Sequence, residues 1–201
     1  MNDTYKQTSK TSATIISLVD MKLYLRVDHT TEDDLITALI SAAVKTAEKE
    51  MNRDLLTATY ENRRDSIEQD LTLRRGPYYS FTKIEYLVDS VYTLLASTEY
   101  DLAEGGIFGK IYSIDLSVAD YDVHPEAIKI TFVAGYGATA ASIPDDILTA
   151  IKAHVAYMYE NRGDCTESSA YYVSDILSLS LPLTCQLVYK NNKIVNLGCH
   201  Y

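Results

Sequence analysis

The chain has 201 residues, a formal net charge of −10 and 47% hydrophobic residues. That is one domain, or one domain plus an arm, with enough apolar side chains for a core and too many for a disordered chain. The acidic balance excludes the basic surface on which sequence-independent DNA binding depends, and no apolar run approaches the ~18–20 residues that cross a bilayer.

Residues 1–16 read as a polar arm, mobile or ordered only on assembly, because the first fourteen are rich in Thr, Ser and Lys. No basic segment precedes a long apolar block there, so no signal peptide is expected and the setting is the cytoplasm, or a particle assembled in it. A first helix is predicted over 17–27, with Ser17 as N-cap, Asp20 three residues on, and Leu18, Met21 and Leu25 at helical spacing. A second is predicted over 31–53. Thr31 is its expected cap, and the acidic run Glu32-Asp33-Asp34 suits the positive end of the helix dipole. Its apolar stripe is Leu35, Ile36, Leu39, Ile40, Ala43, Ala47 and Met51, and Asn52-Arg53 marks the end.

Residues 57–134 change character. Short β-branched or aromatic runs at 57–60, 71–73, 84–87, 92–95, 110–114 and 127–133 alternate with turn signals such as Arg75-Gly76-Pro77 and Gly105-Gly106. They read as a small antiparallel β unit inserted between helices, whose last strand sets Ile128, Ile130 and Phe132 on one face. Gly135 and Gly137 permit positive φ and a sharp exit. A third helix follows over 144–162, opened by Pro144-Asp145-Asp146 and closed by Arg162-Gly163. Its buried stripe is Ile147, Ile151, His154 or Val155, and Met158, widened by Leu148, Ala150 and Tyr159. Residues 164–201 form a C-terminal tail: a loop over 165–170, a turn or short helix over 171–181, then a weak hairpin of 184–189 with 193–197 about Asn191-Asn192, or a segment that orders against a neighbour. The fold class is therefore α+β: a helical bundle, made of the N-terminal helix pair and the long third helix, with an inserted antiparallel β unit and extended terminal arms.

The search for chemistry returns no catalytic, cofactor-binding or metal-binding residues. Gly135-Tyr136-Gly137 lacks the third glycine and the Lys-Ser/Thr of nucleotide loops, and no GxSxG, HExxH or zinc spacing occurs. His154 sits on or beside an apolar stripe and reads as a core or boundary histidine before a catalytic base. His29 and His124 lie in loops. Cys165, Cys185 and Cys199 are an odd set without CxxC, as free thiols in a reducing compartment would be. Arg63-Arg64 and Arg74-Arg75 are the basic clusters and read as solvated charge. The 17 tyrosines, against 3 Phe and no Trp, suit partly buried and interfacial positions.

Three stretches in order resemble one family. Residues 17–56, SLVDMKLYLRVDHTTEDDLITALISAAVKTAEKEMNRDLL, resemble the N-terminal helix pair of head–tail connector (adaptor, or head completion) proteins of tailed bacteriophages. IKITFVAGYG, 128–137, is similar to that family's strand before the last helix, and IPDDILTAIKAHVAYMYENR, 143–162, to the last helix itself. The resemblance makes 17–163 the adaptor domain, in the manner of longer members with inserted strands. It implies a structural virion protein and not an enzyme, without cofactors. The implied assembly is a homo-oligomeric ring, commonly a dodecamer, beneath the portal protein. It joins the head to a downstream tail or stopper protein, and DNA passes through its lumen without specific binding or any membrane contact. An acidic lumen would then draw on Glu32, Asp33, Asp34, Asp145 and Asp146. The alternative is a non-viral bacterial interaction or regulatory module of similar helix–β–helix build.

Overall fold

The computed structural model describes residues 3–66, 70–103, 106–115, 125–161 and 181–194. They fall into two compact units. The sheet unit takes residues 3–12 and the described part of Arg53–Ala138; the helical unit takes Ala13–Asn52 and the described part of 139–194.

In the sheet unit, β1 (Asp3–Lys10), β2 (Ala58–Arg64), β4 (Tyr78–Val88), β5 (Val91–Leu94) and β8 (Ile128–Ala134) form one sheet in the order β1-β2-β8-β4-β5. Every neighbouring pair is antiparallel. A second antiparallel sheet holds β3 (Leu71–Leu73), β7 (Gly109–Tyr112) and β6 (Asp101–Ala103), in that order. Alternation decides the faces. Tyr60, Ile128, Ile130 and Phe132 of the larger sheet and Leu71, Leu73 and Ile111 of the smaller one share a single buried core. Register sets Tyr60 opposite Phe132; their rings stack at 5.9 Å, and Tyr5 of β1 meets Phe132 edge-on at 6.3 Å. Asp89 and Ser90, both with positive φ, make the two-residue turn between β4 and β5.

The polar arm expected over 1–16 is thus corrected: its residues Asp3–Lys10 are an edge strand. Tyr5 points inward, and Lys10 Nζ lies 3.3 Å from the buried Asp54 carboxylate.

In the helical unit, α1 (Leu18–Leu25), α2 (Asp33–Met51), α3 (Asp145–Glu160) and α4 (Leu183–Asn191) are the α-helices among the described residues. α2 packs on α3, both meet α1, and both meet α4. Ser17 caps α1 as expected, its Oγ accepting the Asp20 N–H at 3.0 Å. Ser17→Ala should therefore lower the stability of this unit by about 1 kcal/mol in chemical denaturation. Thr31 does not cap α2. The Asp33 N–H bonds the Thr30 carbonyl at 3.3 Å, which moves the start one residue on; Glu32 is the N-cap and makes no side-chain cap bond. Ile36, Ala43, Ala47 and Met51 are fully buried, and Asn52, in the left-handed conformation, ends the helix. On α3, Ile147, Ala150, Ile151, His154 and Val155 are buried.

The hairpin expected over 184–197 is corrected as well. Its first half is α4, which buries Cys185 and Tyr189 on one side. Val195–Leu197, Arg162-Gly163, 165–170, 171–180, Gly105, His124, Cys165 and Cys199 lie outside the described residues.

Candidate functional site

Among the described residues, His154, Cys185 and Tyr189 meet in the packing of α3 against α4. His154 is 3% exposed, and burial holds its pKa below the ordinary histidine value. It faces the Tyr189 ring edge-on at 6.4 Å. Neither His154 Nδ1 nor Tyr189 Oη has a hydrogen-bond partner among the described residues, and burial, with the nearby Cys185, pushes the Tyr189 phenol up. The Cys185 thiol, also raised by burial, donates to the Ala150 carbonyl at 3.2 Å. No base, nucleophile and orienting group are brought into line here. Among the described residues, no group of three or more His, Cys, Asp or Glu is gathered to hold a metal.

His154 has a consequence for pH. The unfolded chain takes up the imidazole proton near pH 6.5, before the buried folded form does. Stability from this group is complete above that pH and is lost as pH falls through the depressed folded value. Thermal melts should show the helical unit weakening from about pH 7 to pH 5, and the difference between wild type and His154→Gln should carry that slope.

Of the basic clusters, Arg63, Arg64 and Arg75 are held by contacts within the sheet unit, and Arg74 is exposed. Arg63 pairs with Glu126 at 2.7 Å and Glu61 at 3.0 Å. Arg64 is buried and donates to Asn62 Oδ1 at 2.7 Å. Arg75 lies over the Tyr60 ring at 5.2 Å. The five acidic residues singled out for a lumen, all in the helical unit, divide differently. Asp33 pairs with Lys22 at 2.6 Å, and Glu32 accepts from Tyr159 Oη with His29 3.8 Å away. Asp34, Asp145 and Asp146 are exposed. The Glu32 and Asp33 contacts fasten helices, which their places in a helix-opening run did not reveal.

What the surface does present is apolar. Val19 and Leu23 of α1 are 75% and 79% exposed, Leu183 and Leu187 of α4 are 70% and 53% exposed, and Val91 and Leu94 of the edge strand β5 are also open. Val19 with Leu23 and Leu183 with Leu187 each lie one turn apart on one helix face, whereas Val91 and Leu94 open on opposite faces of β5. Sequence periodicity placed Leu18, Met21 and Leu25 but not the outward Val19 and Leu23. The exposed leucines of α4 were hidden by the hairpin reading.

A family model described as "Head completion protein" matches residues 14–170. The chain belongs to the head completion protein family. This head completion protein matches no curated protein. Its fold is similar to chains in three solved particles. One is the neck of an empty GTA particle computed with C6 symmetry, with TM-score 0.70, 18% identity, and 96% of this chain and 97% of that one covered. Another is the virion of a native gene transfer agent (GTA) particle, with TM-score 0.70, 19% identity, and 96% of each chain covered. The third is the neck of a native GTA particle computed with C12 symmetry, with TM-score 0.67, 17% identity, and coverage of 96% and 97%. No helix among the described residues is long and apolar enough to cross a membrane.

Proposed function

We propose that this head completion protein is a structural virion component of the head–tail interface. Copies form a ring, a dodecamer, beneath the portal, extend the DNA channel and present a docking surface to the tail or stopper protein. The ring catalyses nothing. The observation that carries this reading is the family match over residues 14–170 together with a fold match over 96% of the chain, with necks solved in C6 and C12 symmetry among the similar folds. On this reading residues 17–163 act together as the adaptor domain, and the helices work as a bundle.

The chemistry supports it. A ring subunit needs two unlike contact surfaces that close by rotation, and exposed apolar pairs on α1, α4 and β5 are available for them. Asp34, Asp145 and Asp146 are exposed and have no ion-pair partner among the described residues, and their charge would repel DNA and leave no counterion-releasing contacts to hold it.

The test is particle assembly without this chain. Heads should fill with DNA, fail to retain it and carry no tails, and an electron cryomicroscopy reconstruction of complete particles should place twelve copies under the portal. Fully tailed, infectious particles made without the chain would refute the adaptor role. A lumen lined by none of Asp34, Asp145 and Asp146 would remove the acidic-channel part alone.

A further inference from the structure

An open groove of about 380 Å³ runs between α3 and α4. Thr149, Ala150 and Ala153 of α3 and Thr184 and Val188 of α4 line it, with Asp145 and Asp146 at one end. The helices are antiparallel here, since Asn192 Nδ2 donates to Asp146 Oδ2 at 3.1 Å while Cys185 meets Ala150. The α3 wall is made of small side chains, so the two ridges do not close on each other. The α4 wall continues outward into Leu183 and Leu187, one residue before each lining position. α4 thus presents apolar side chains in three directions, Cys185 and Tyr189 inward, Val188 beside Thr184 in the groove, and Leu183 and Leu187 in water. A helix of that kind belongs inside an assembly.

The occupant can be narrowed. The groove extends from Asp145 to Ala153, about 12 Å at helical rise, room for two turns of a helix laying down two or three apolar side chains. Asp145 and Asp146 have no ion-pair partner among the described residues, and Lys190 and Lys193 do not line the groove. With a chain charge of −10, the site favours cations at that end and disfavours nucleic acid. We propose that the α3–α4 groove docks an amphipathic helix of another protein, seated by apolar side chains against Val188 and Leu187 and carrying Lys or Arg beside Asp145 and Asp146. The inference does not need the ring, and it competes with one detail of that reading: Leu183, Leu187, Asp145 and Asp146 go to a partner helix, which leaves the exposed pairs of α1 and β5 for contacts between copies and Asp34 for the channel.

The experiment is a fluorescence anisotropy titration of the full chain. The probe is a labelled fourteen-residue amphipathic helix of leucine and lysine; its twin carries glutamate for lysine. The lysine peptide should bind at least about tenfold more tightly than the twin. Leu187→Ser should weaken it about tenfold, the weight of one leucine taken from water. Asp145→Asn should weaken it about threefold and flatten its salt dependence. Leu23→Ser, at an even more exposed leucine but on α1, should leave the affinity unchanged. Equal binding of both peptides, or equal effects of Leu187→Ser and Leu23→Ser, would overturn the proposal. So would sedimentation showing that the chain self-associates and that Leu187→Ser abolishes it, since the occupant would then be a second copy.

Discussion

Removing residues 1–10 should destabilise the sheet unit by roughly 3–5 kcal/mol, read as a lower denaturation midpoint. β1 is no loose arm. It pairs with β2 from Asp3 opposite Arg64 to Lys10 opposite Ala58, so its loss strips one edge of hydrogen-bond partners from the strand that carries Tyr60. The Tyr5 ring leaves the Phe132 edge, and its hydroxyl no longer accepts the Arg74 N–H at 2.9 Å. Lys10 leaves Asp54, a buried carboxylate that also accepts from Tyr60 Oη at 2.5 Å. The Lys10 contact is the smallest part, because that side chain is one-third exposed and screened by solvent. Tyr5→Ala alone should cost about 2 kcal/mol, which separates the ring from the backbone pairing. A truncated chain with an unchanged midpoint would restore the arm.

The same strand shows where sequence reading ran out. TYKQTSK has one apolar ring in seven residues, so alternation gave no signal; the strand exists because β2 offers an edge. Long-range pairing of this kind leaves no local trace. α2 was legible for the opposite reason: nineteen residues carry a stripe strong enough to outweigh a misplaced cap. α4 was misread because Leu187-Val188-Tyr189 favours strands and Asn191-Asn192 mimics a hairpin turn. The competing helical signal was two apolar pairs four residues apart, Leu183 with Leu187 and Cys185 with Tyr189, over only nine residues. That error concealed the candidate docking groove, since half of its lining depends on α4 being a helix. The second sheet was half seen: β3 and β7 had their β-branched or aromatic residues, whereas Asp101–Ala103 has none.

Gly135→Ala should cost the sheet unit about 3 kcal/mol, with reduced yield of folded protein and a lower melting temperature. Two independent terms combine. Gly135 has φ +131, a backbone conformation that an L side chain rarely adopts. A Cβ built there would also lie 2.5 Å from the Leu56 carbonyl oxygen and 2.8 Å from Thr57 Cα, both backbone atoms that cannot swing aside as a side chain can. The close approach is held from both ends: the Gly135 N–H bonds the Pro77 carbonyl at 2.7 Å, and the Thr57 N–H bonds the Gly137 carbonyl at 3.0 Å. Gly137 was expected to share this role, yet it is not among the positive-φ residues, so Gly137→Ala should be the milder change. The ordering discriminates between the causes. Equal losses at both positions would point to general loop entropy, whereas a large loss at Gly135 alone identifies the contact with Leu56 and Thr57 as what fixes the end of β8 against the start of β2.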